Sequence, residues 1–345
     1  MTARSHIDAA CATAPGKVIL LGEHAVVYGR TALAAAIDRH VTVHVACESM
    51  AKCGADGVRS EWKPFVLRFS KYDTRQSPVD EDPRLAQAIA CAADYIGLNP
   101  TSLVTTISTD LPLAMGLGSS AALSVALVRA LGRFAHRPLA DAAVCAGAFE
   151  IEKIFHGFPS GIDNTVATHG GLIAFTRGAA ARPLQARRSL PLVIALSRAP
   201  RRTQQTVVTL RQRWEANPNA CEPLFDEIAA LVRRAERAIA TGDLTTLGAT
   251  MSANHDVLRR LGISTDELEQ MVSLAATYGA LGTKLTGGGG GGAVICLCDG
   301  DRAGLVDAFA RAGWQAFATE IGATQRGAYA ADSTGYVDQQ LTQRA

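Results

Sequence analysis

LPLAMGLGSSAALSVALVRALGRF, residues 111–134, is the stretch on which the fold reading turns. Its first half reads as a turn and its second half as a helix. Gly116 and Gly118 carry no Cβ, so the backbone there can approach another group closely. Ser119 and Ser120 stand at the helix start, ahead of an Ala/Leu-rich run. Free N–H groups and the positive end of the helix dipole gather at such a start and attract anions. A serine hydroxyl in that place can also reach a phosphate-bound Mg²⁺. The same wording suits an ordinary strand-to-helix turn capped by serine. It matches neither the Walker pattern nor GxGxxG.

Working outward, LVTTIST (103–109) and VTVHVAC (41–47) alternate as strands do, and KVILL (17–21) is a short apolar run. Residues 171–175, 192–196 and 293–298 are also strand-like in length and composition. Helices are expected over 84–96, 119–134, 138–156, 223–240, 243–260, 264–278 and 301–312. The helix from 138 is placed to begin with Pro138 in its first turn. Strands and helices interleave, which predicts an α+β protein. The Arg-rich stretch near 178–191 is the expected boundary between two domains, 1–187 and 188–345. Residues 48–82 read as a loop or hairpin excursion.

The bulk numbers narrow the class. The chain has 345 residues, 48% of them hydrophobic and 19% charged, which suits a folded core rather than disorder. Lys plus Arg total 34 against 32 for Asp plus Glu, so no general attraction to nucleic acid is expected and any anion site must be local. Eight cysteines are scattered without a CxxC pair, which predicts reduced thiols. The N-terminal stretch has no apolar signal region, and no run approaches the roughly 20 apolar residues of a membrane span. A soluble cytoplasmic protein without membrane partners is expected.

Three further stretches carry chemistry. KLTGGGGGGAVICL (284–297) holds six consecutive glycines ahead of a buried-looking strand. A loop that passes close to a bound ligand fits this better than a flexible linker. EKIFHGFPSGIDN (152–164) places Glu152 at a helix end and Asp163 on the turn that follows. A phosphoryl-transfer enzyme needs one carboxylate near Mg²⁺ and often a second near the attacking hydroxyl. Both acids could equally be solvated at a capped turn. In APGKVILLGEHAVVYG (14–29), Lys17 opens a short strand that ends at Gly22, Glu23 and His24. Lys17 could hold a carboxylate ionised or stabilise phosphoryl charge.

The order and wording of these four stretches resemble the GHMP kinases from about residue 12 to about 330. PGKVILLGEHAVVYG and HGFPSGIDN resemble the mevalonate kinases within that group. The resemblance implies an N-terminal domain like the ribosomal S5 second domain, a C-terminal ferredoxin-like domain, and an active site in the cleft between them. It implies ATP and mevalonate as substrates, with Mg²⁺. Carried over by position, Gly116, Leu117, Gly118, Ser119, Ser120 and Ala121 would wrap the ATP phosphates, supported by Gly287, Gly288 and Gly289. Ser120 and Glu152 would hold Mg²⁺. Asp163 would face the substrate hydroxyl, either as general base or as a late proton acceptor, with Lys17 beside it. Glu23, His24 and Thr203 would lie on the substrate side. Relatives are often homodimers.

The chain departs from the group in places. Ala114 and Met115 stand where Gly and Ala are usual, which bears on the nucleotide side. Gly288 stands where alanine is usual. Arg201 and Arg202 could bind a carboxylate, admit a phosphorylated substrate, or simply be solvated. Rival readings are a kinase for phosphomevalonate or homoserine, a related decarboxylase, and a non-catalytic ligand-binding regulator.

Overall fold

The computed structural model describes residues 9–47, 65–69, 82–99, 103–157, 159–198 and 203–322. Within them the chain runs β1 (Ala9–Leu21), a 3-10 turn (Ala25–Tyr28), β2 (Ala32–Cys47), β3 (Phe65–Phe69), α1 (Pro83–Ile96), β4 (Leu103–Thr109), α2 (Ser119–Phe134), α3 (Asp141–His156), α4 (Ile162–His169), β5 (Leu172–Phe175) and β6 (Arg182–Leu184). It continues through β7 (Leu190–Leu196), α5 (Thr203–Ala216), α6 (Pro218–Thr241), α7 (Leu244–Arg260), α8 (Asp266–Thr277), β8 (Gly282–Thr286), β9 (Ala293–Leu297), α9 (Arg302–Arg311) and β10 (Gln315–Ile321).

The first sheet has β2 as its spine. β1 pairs antiparallel along β2 from Ala9 opposite Ala46 to Leu21 opposite Leu33. β2 also pairs with β5 through residues 32–35 and with β4 through residues 41–47. β3 lies parallel beside β4, and β6 closes the other end. The second sheet is antiparallel, in the order β10-β7-β9-β8. Numbered within that sheet, the order is 4-1-3-2, the split βαβ arrangement of ferredoxin-like folds. The expected α+β class and ferredoxin-like half are therefore present.

α2 holds the first half together. Eleven of its sixteen residues are buried, so it is apolar on nearly every side and lies under its neighbours rather than on the surface. β1 alternates at its start and is buried throughout from Ala14. There its two faces meet different partners. Val18 and Leu20 enter the main core, while Ile19 joins a smaller cluster with Ala32, Ala34, Ala36, Ile162 and Val166. The main core runs without a break from β1 to β9 and β10, so both sheets share it. Among the described residues no helix is long and apolar enough to cross a membrane.

Several expected limits shift. α3 starts at Asp141 rather than Pro138, because Ala140 is still extended and Asp141 puts its acid in the first turn. The stretch read as a turn around Asp163 is a short helix, α4. β2 begins nine residues early, in an alanine-rich run of weak strand propensity. β8 and β10 were not foreseen, and most of 48–82 lies outside the described residues, apart from β3.

α7 meets β8 backbone to backbone. A Cβ on Gly282 would lie 1.9 Å from the Gly248 carbonyl oxygen, and one on Gly248 would lie 2.4 Å from that of Leu281. Gly248→Ala should therefore destabilise by at least the roughly 1–3 kcal/mol typical of overpacking, read as a lower urea midpoint. An unchanged midpoint would show slack in this seam.

Candidate functional site

Lys17 sits between two irregularities of β1, where its register against β2 shifts at Pro15/Lys17 and at Ile19/Leu21. Between them Lys17 pairs with Ala36 of β2, while its N–H turns to a different element. The Lys17 N–H donates to the Leu117 carbonyl at 2.8 Å. Its side chain passes under Gly118, where a Cβ would lie 2.7 Å from Lys17 Cγ. Gly118 also has φ 75°, so glycine suits it on two grounds. The ammonium ends 3.0 Å from Asp163 Oδ1. Lys17 is 2% exposed and the Asp163 side chain 29% exposed, so the pair has a closed side and an open side. Asp163 lies in the first turn of α4, where the helix dipole favours a carboxylate.

Glu152 comes from the last turns of α3 and is buried. Ser120 Oγ donates to its Oε2 at 3.2 Å and Ser124 Oγ to its Oε1 at 3.3 Å. His156, one turn further on, places Nε2 3.0 Å from Ser120 Oγ. Burial pushes the Glu152 carboxyl up to about 8, and the nearby charge of Asp163 adds to the push. The two serine hydroxyls and Lys17 oppose it. A carboxylate so placed is short of positive charge. Ser120 and Glu152 offer hard oxygen donors, and among the described residues no cluster of three or more His, Cys, Asp or Glu could cage a metal. That donor set fits Mg²⁺, which is usually held by one or two carboxylates together with substrate phosphates.

A second group of residues joins the end of β1 to the glycine run. Glu23 forms a fully buried ion pair with Lys284 of β8. Burial pushes the Glu23 carboxyl up and the Lys284 ammonium down, each against the pull of its partner. His24 has φ 60°, and its Nε2 lies 3.1 Å from the Gly288 carbonyl oxygen. Thr286 Oγ1 accepts from the Ile19 N–H at 2.9 Å and reaches the Ile19 carbonyl at 3.1 Å. The Gly22 N–H donates to Asn254 Oδ1 at 3.2 Å. Gly289, at φ 72°, leaves no room for a Cβ, which would lie 2.1 Å from Ile263 Cγ2. The glycine run is thus packed into the structure and is not a linker.

The structure brings Lys17, Gly118, Ser120, Glu152 and Asp163 into one contiguous set, and Glu23, His24 and Gly288 into another, joined through β1. Gly287 and Gly289 lie in the same run as Gly288. Gly116 precedes the helix at φ 84°, and Ser119 is half-buried at its start. Leu117 and Ala121 are buried in the core, so a ligand could meet only their backbone. Met115 is also a core residue and fills space there. Glu23, expected on the substrate side, is turned instead to Lys284, and its Oε2 has no hydrogen-bond partner among the described residues. Thr203 opens α5, but its side chain lies outside the described residues, as do Arg201 and Arg202. Sequence reasoning passed over Ser124, His156, Asn254, Lys284 and Thr286. Lys284 had a visible signal, a lone charge in a short run next to the glycines.

The raised Glu152 carboxyl has a consequence for stability. A carboxyl raised on folding stabilises below its unfolded value near 4.5, and that contribution is lost as pH climbs through about 8. Wild-type Tm should therefore fall more than that of Glu152→Gln as pH rises across this window. Parallel Tm profiles for the two proteins would contradict the burial argument.

Comparison with known proteins identifies the family. The GHMP kinases N terminal domain matches residues 84–171, and the GHMP kinases C terminal model matches residues 220–315. The mevalonate kinase of Pyrococcus abyssi is 31% identical over 322 residues, covering 90% of this chain and 95% of its own. That of Aeropyrum pernix is 35% identical over 301 residues, covering 84% and 88%. The crystal structure of L. major mevalonate kinase in complex with R-mevalonate matches with a TM-score of 0.80 at 29% identity, covering 90% of this chain and 95% of that one. The chain belongs to the GHMP kinase family, in its mevalonate kinase branch.

Proposed function

We propose that this chain is an ATP-dependent mevalonate kinase, moving the γ-phosphate of ATP onto the 5-hydroxyl of mevalonate. The observation that carries this reading is the Lys17–Asp163 pair, 3.0 Å apart, lying directly under the glycine turn that opens α2. A helix start that attracts phosphate and a half-open carboxylate meet there at one buried cation.

Phosphoryl transfer asks a protein mainly for positioning and electrostatics. Backbone N–H groups from Gly116 to Ala121 would hold the nucleotide phosphates at the α2 N-terminus. Gly287, Gly288 and Gly289 would support them from the second sheet. Ser120 and Glu152 would hold Mg²⁺, which when bound offsets phosphate charge. Asp163 would orient the alcohol and accept its proton as the new P–O bond forms and the bond to the ADP oxygen breaks. Lys17 fixes Asp163 and is placed to share its charge with the moving phosphoryl group. His24, beside Gly288, and Thr203 are assigned to the substrate side. Six free cysteines among the described residues support a reducing compartment, the cytoplasm.

The test is ADP release with mevalonate, phosphomevalonate, homoserine and galactose in parallel. Mevalonate should give the highest kcat/KM, and Asp163→Ala and Lys17→Met should each lower turnover by about 10²-fold or more. ATP binding without turnover on any alcohol would favour a ligand-binding regulator instead. Glu152→Gln should weaken Mg²⁺-dependent nucleotide binding measured by calorimetry and raise the Mg²⁺ needed for half-maximal rate. An unchanged Mg²⁺ titration would remove Glu152 from the metal site.

A further inference from the structure

The roles so far use the turn before α2, the ends of α3 and α4, and Lys17. They leave unexplained a fully buried charge pair and a threonine of the second half that reaches across to β1. Lys284 and Glu23 are both 0% exposed, and a buried pair of this kind adds little stability by itself. The Lys284 ammonium also donates to the Leu285 carbonyl at 2.6 Å and lies 3.5 Å from the Ile19 carbonyl oxygen. Thr286, two residues on, places its hydroxyl against both the N–H and the carbonyl of Ile19. These contacts fall at the Ile19/Leu21 register shift, where β1 loses step with β2. Lys17 lies between that shift and the one at Pro15, and its own N–H is held by Leu117.

The geometry points to Lys284 and Thr286 as positioning residues for the reaction, setting through Glu23 and Ile19 where β1 delivers the Lys17 ammonium to Asp163. Between the two shifts Lys17, Val18 and Ile19 stay paired with Ala36, Ala35 and Ala34 of β2, but the pairing breaks step at either end. Two outside clamps fix this short stretch from its other side: the Leu117 carbonyl from the nucleotide turn, and the Thr286 hydroxyl with the Lys284–Glu23 pair from the second sheet. The polar character of residues 284 and 286 in a fully buried strand follows from this task. A rigid apolar pair would fill the same space without fixing the strand's register. The inference deepens the proposed function and rests on Lys17 and Asp163 being the reacting pair.

The test uses the full chain with Thr286→Val and Lys284→Met, and with Phe309→Leu in the core of α9 as a control for plain destabilisation. Two quantities are read. One is kcat with KM for ATP. The other is the rate at which acetic anhydride modifies the Lys17 amine, followed by peptide mass spectrometry, which needs no turnover. In Thr286→Val, kcat should drop by about tenfold or more while KM for ATP stays within about twofold. Lys17 modification should quicken by about threefold or more as the strand loosens locally. Lys284→Met should do the same, and Phe309→Leu should do neither at an equal loss of Tm. If Lys284→Met fails to fold, Thr286→Val alone decides. Unchanged kcat and unchanged Lys17 modification in folded Thr286→Val overturn the inference, as does an equal effect from Phe309→Leu. If the wild type phosphorylates no alcohol, the functional reading falls, while the modification rates still judge the clamp.

Discussion

A buried ammonium needs a counter-charge, and the architecture around Lys17 follows from supplying one. Removing the carboxylate from such a pair leaves the ammonium stranded away from water, so the elements that carry the two cannot drift apart freely. Lys17 comes from β1 and Asp163 from α4, with the glycine turn before α2 lying across the lysine stem. Three elements distant in sequence are thereby held in one place. The carboxylate keeps an open face because its helix begins at the surface of the pair, while the cation is sealed below. The same cation reaches Glu152 electrostatically, so the two acids share one local field.

The second sheet does more than close the other wall. Its core is continuous with that of the first, and β8 sends polar side chains across to β1. The 3-10 turn after β1 is tied to α6 as well, with Tyr28 stacked on Phe225 at a ring separation of 4.4 Å and Arg30 bonded to Asp226 at 2.9 Å. Movement of one half against the other must therefore work around these fixed points. α5, which opens with Thr203, packs chiefly on α6 and joins these ties through Trp214, whose ring lies 5.0 Å from that of Tyr28.

Much of this was legible in the sequence where local chemistry and tertiary context agree. The limits of α2 and β4 read directly, because a glycine-serine turn into an Ala/Leu run and an alternating β-branched run leave little choice. The family wording then gathered Lys17, Ser120, Glu152 and Asp163 before any coordinates did. Other features were hidden for physical reasons. The alanines of β2 are weak strand formers, chosen because Ile162 and Val166 of α4 pack on them. Asp163 reads as a loop acid because a helix of eight residues carries too little periodic signal. The pairing of Glu23 with Lys284 spans 261 positions, and no local pattern encodes so distant a partner.

The glycine seam between α7 and β8 has a further bearing on how this molecule tolerates change. Where two main chains touch with nothing between them, there is no rotamer to adjust and no methyl group to trade. Elsewhere a core can drift through compensating swaps of size, but this junction has no such currency. α7 carries His255 to the Leu285 N–H just ahead of the glycine run and Asn254 to the Gly22 N–H after β1, so the spacing of both is inherited from the backbone itself. Sequence variation that retunes the catalytic cleft must then enter through other walls, leaving this edge as its fixed datum.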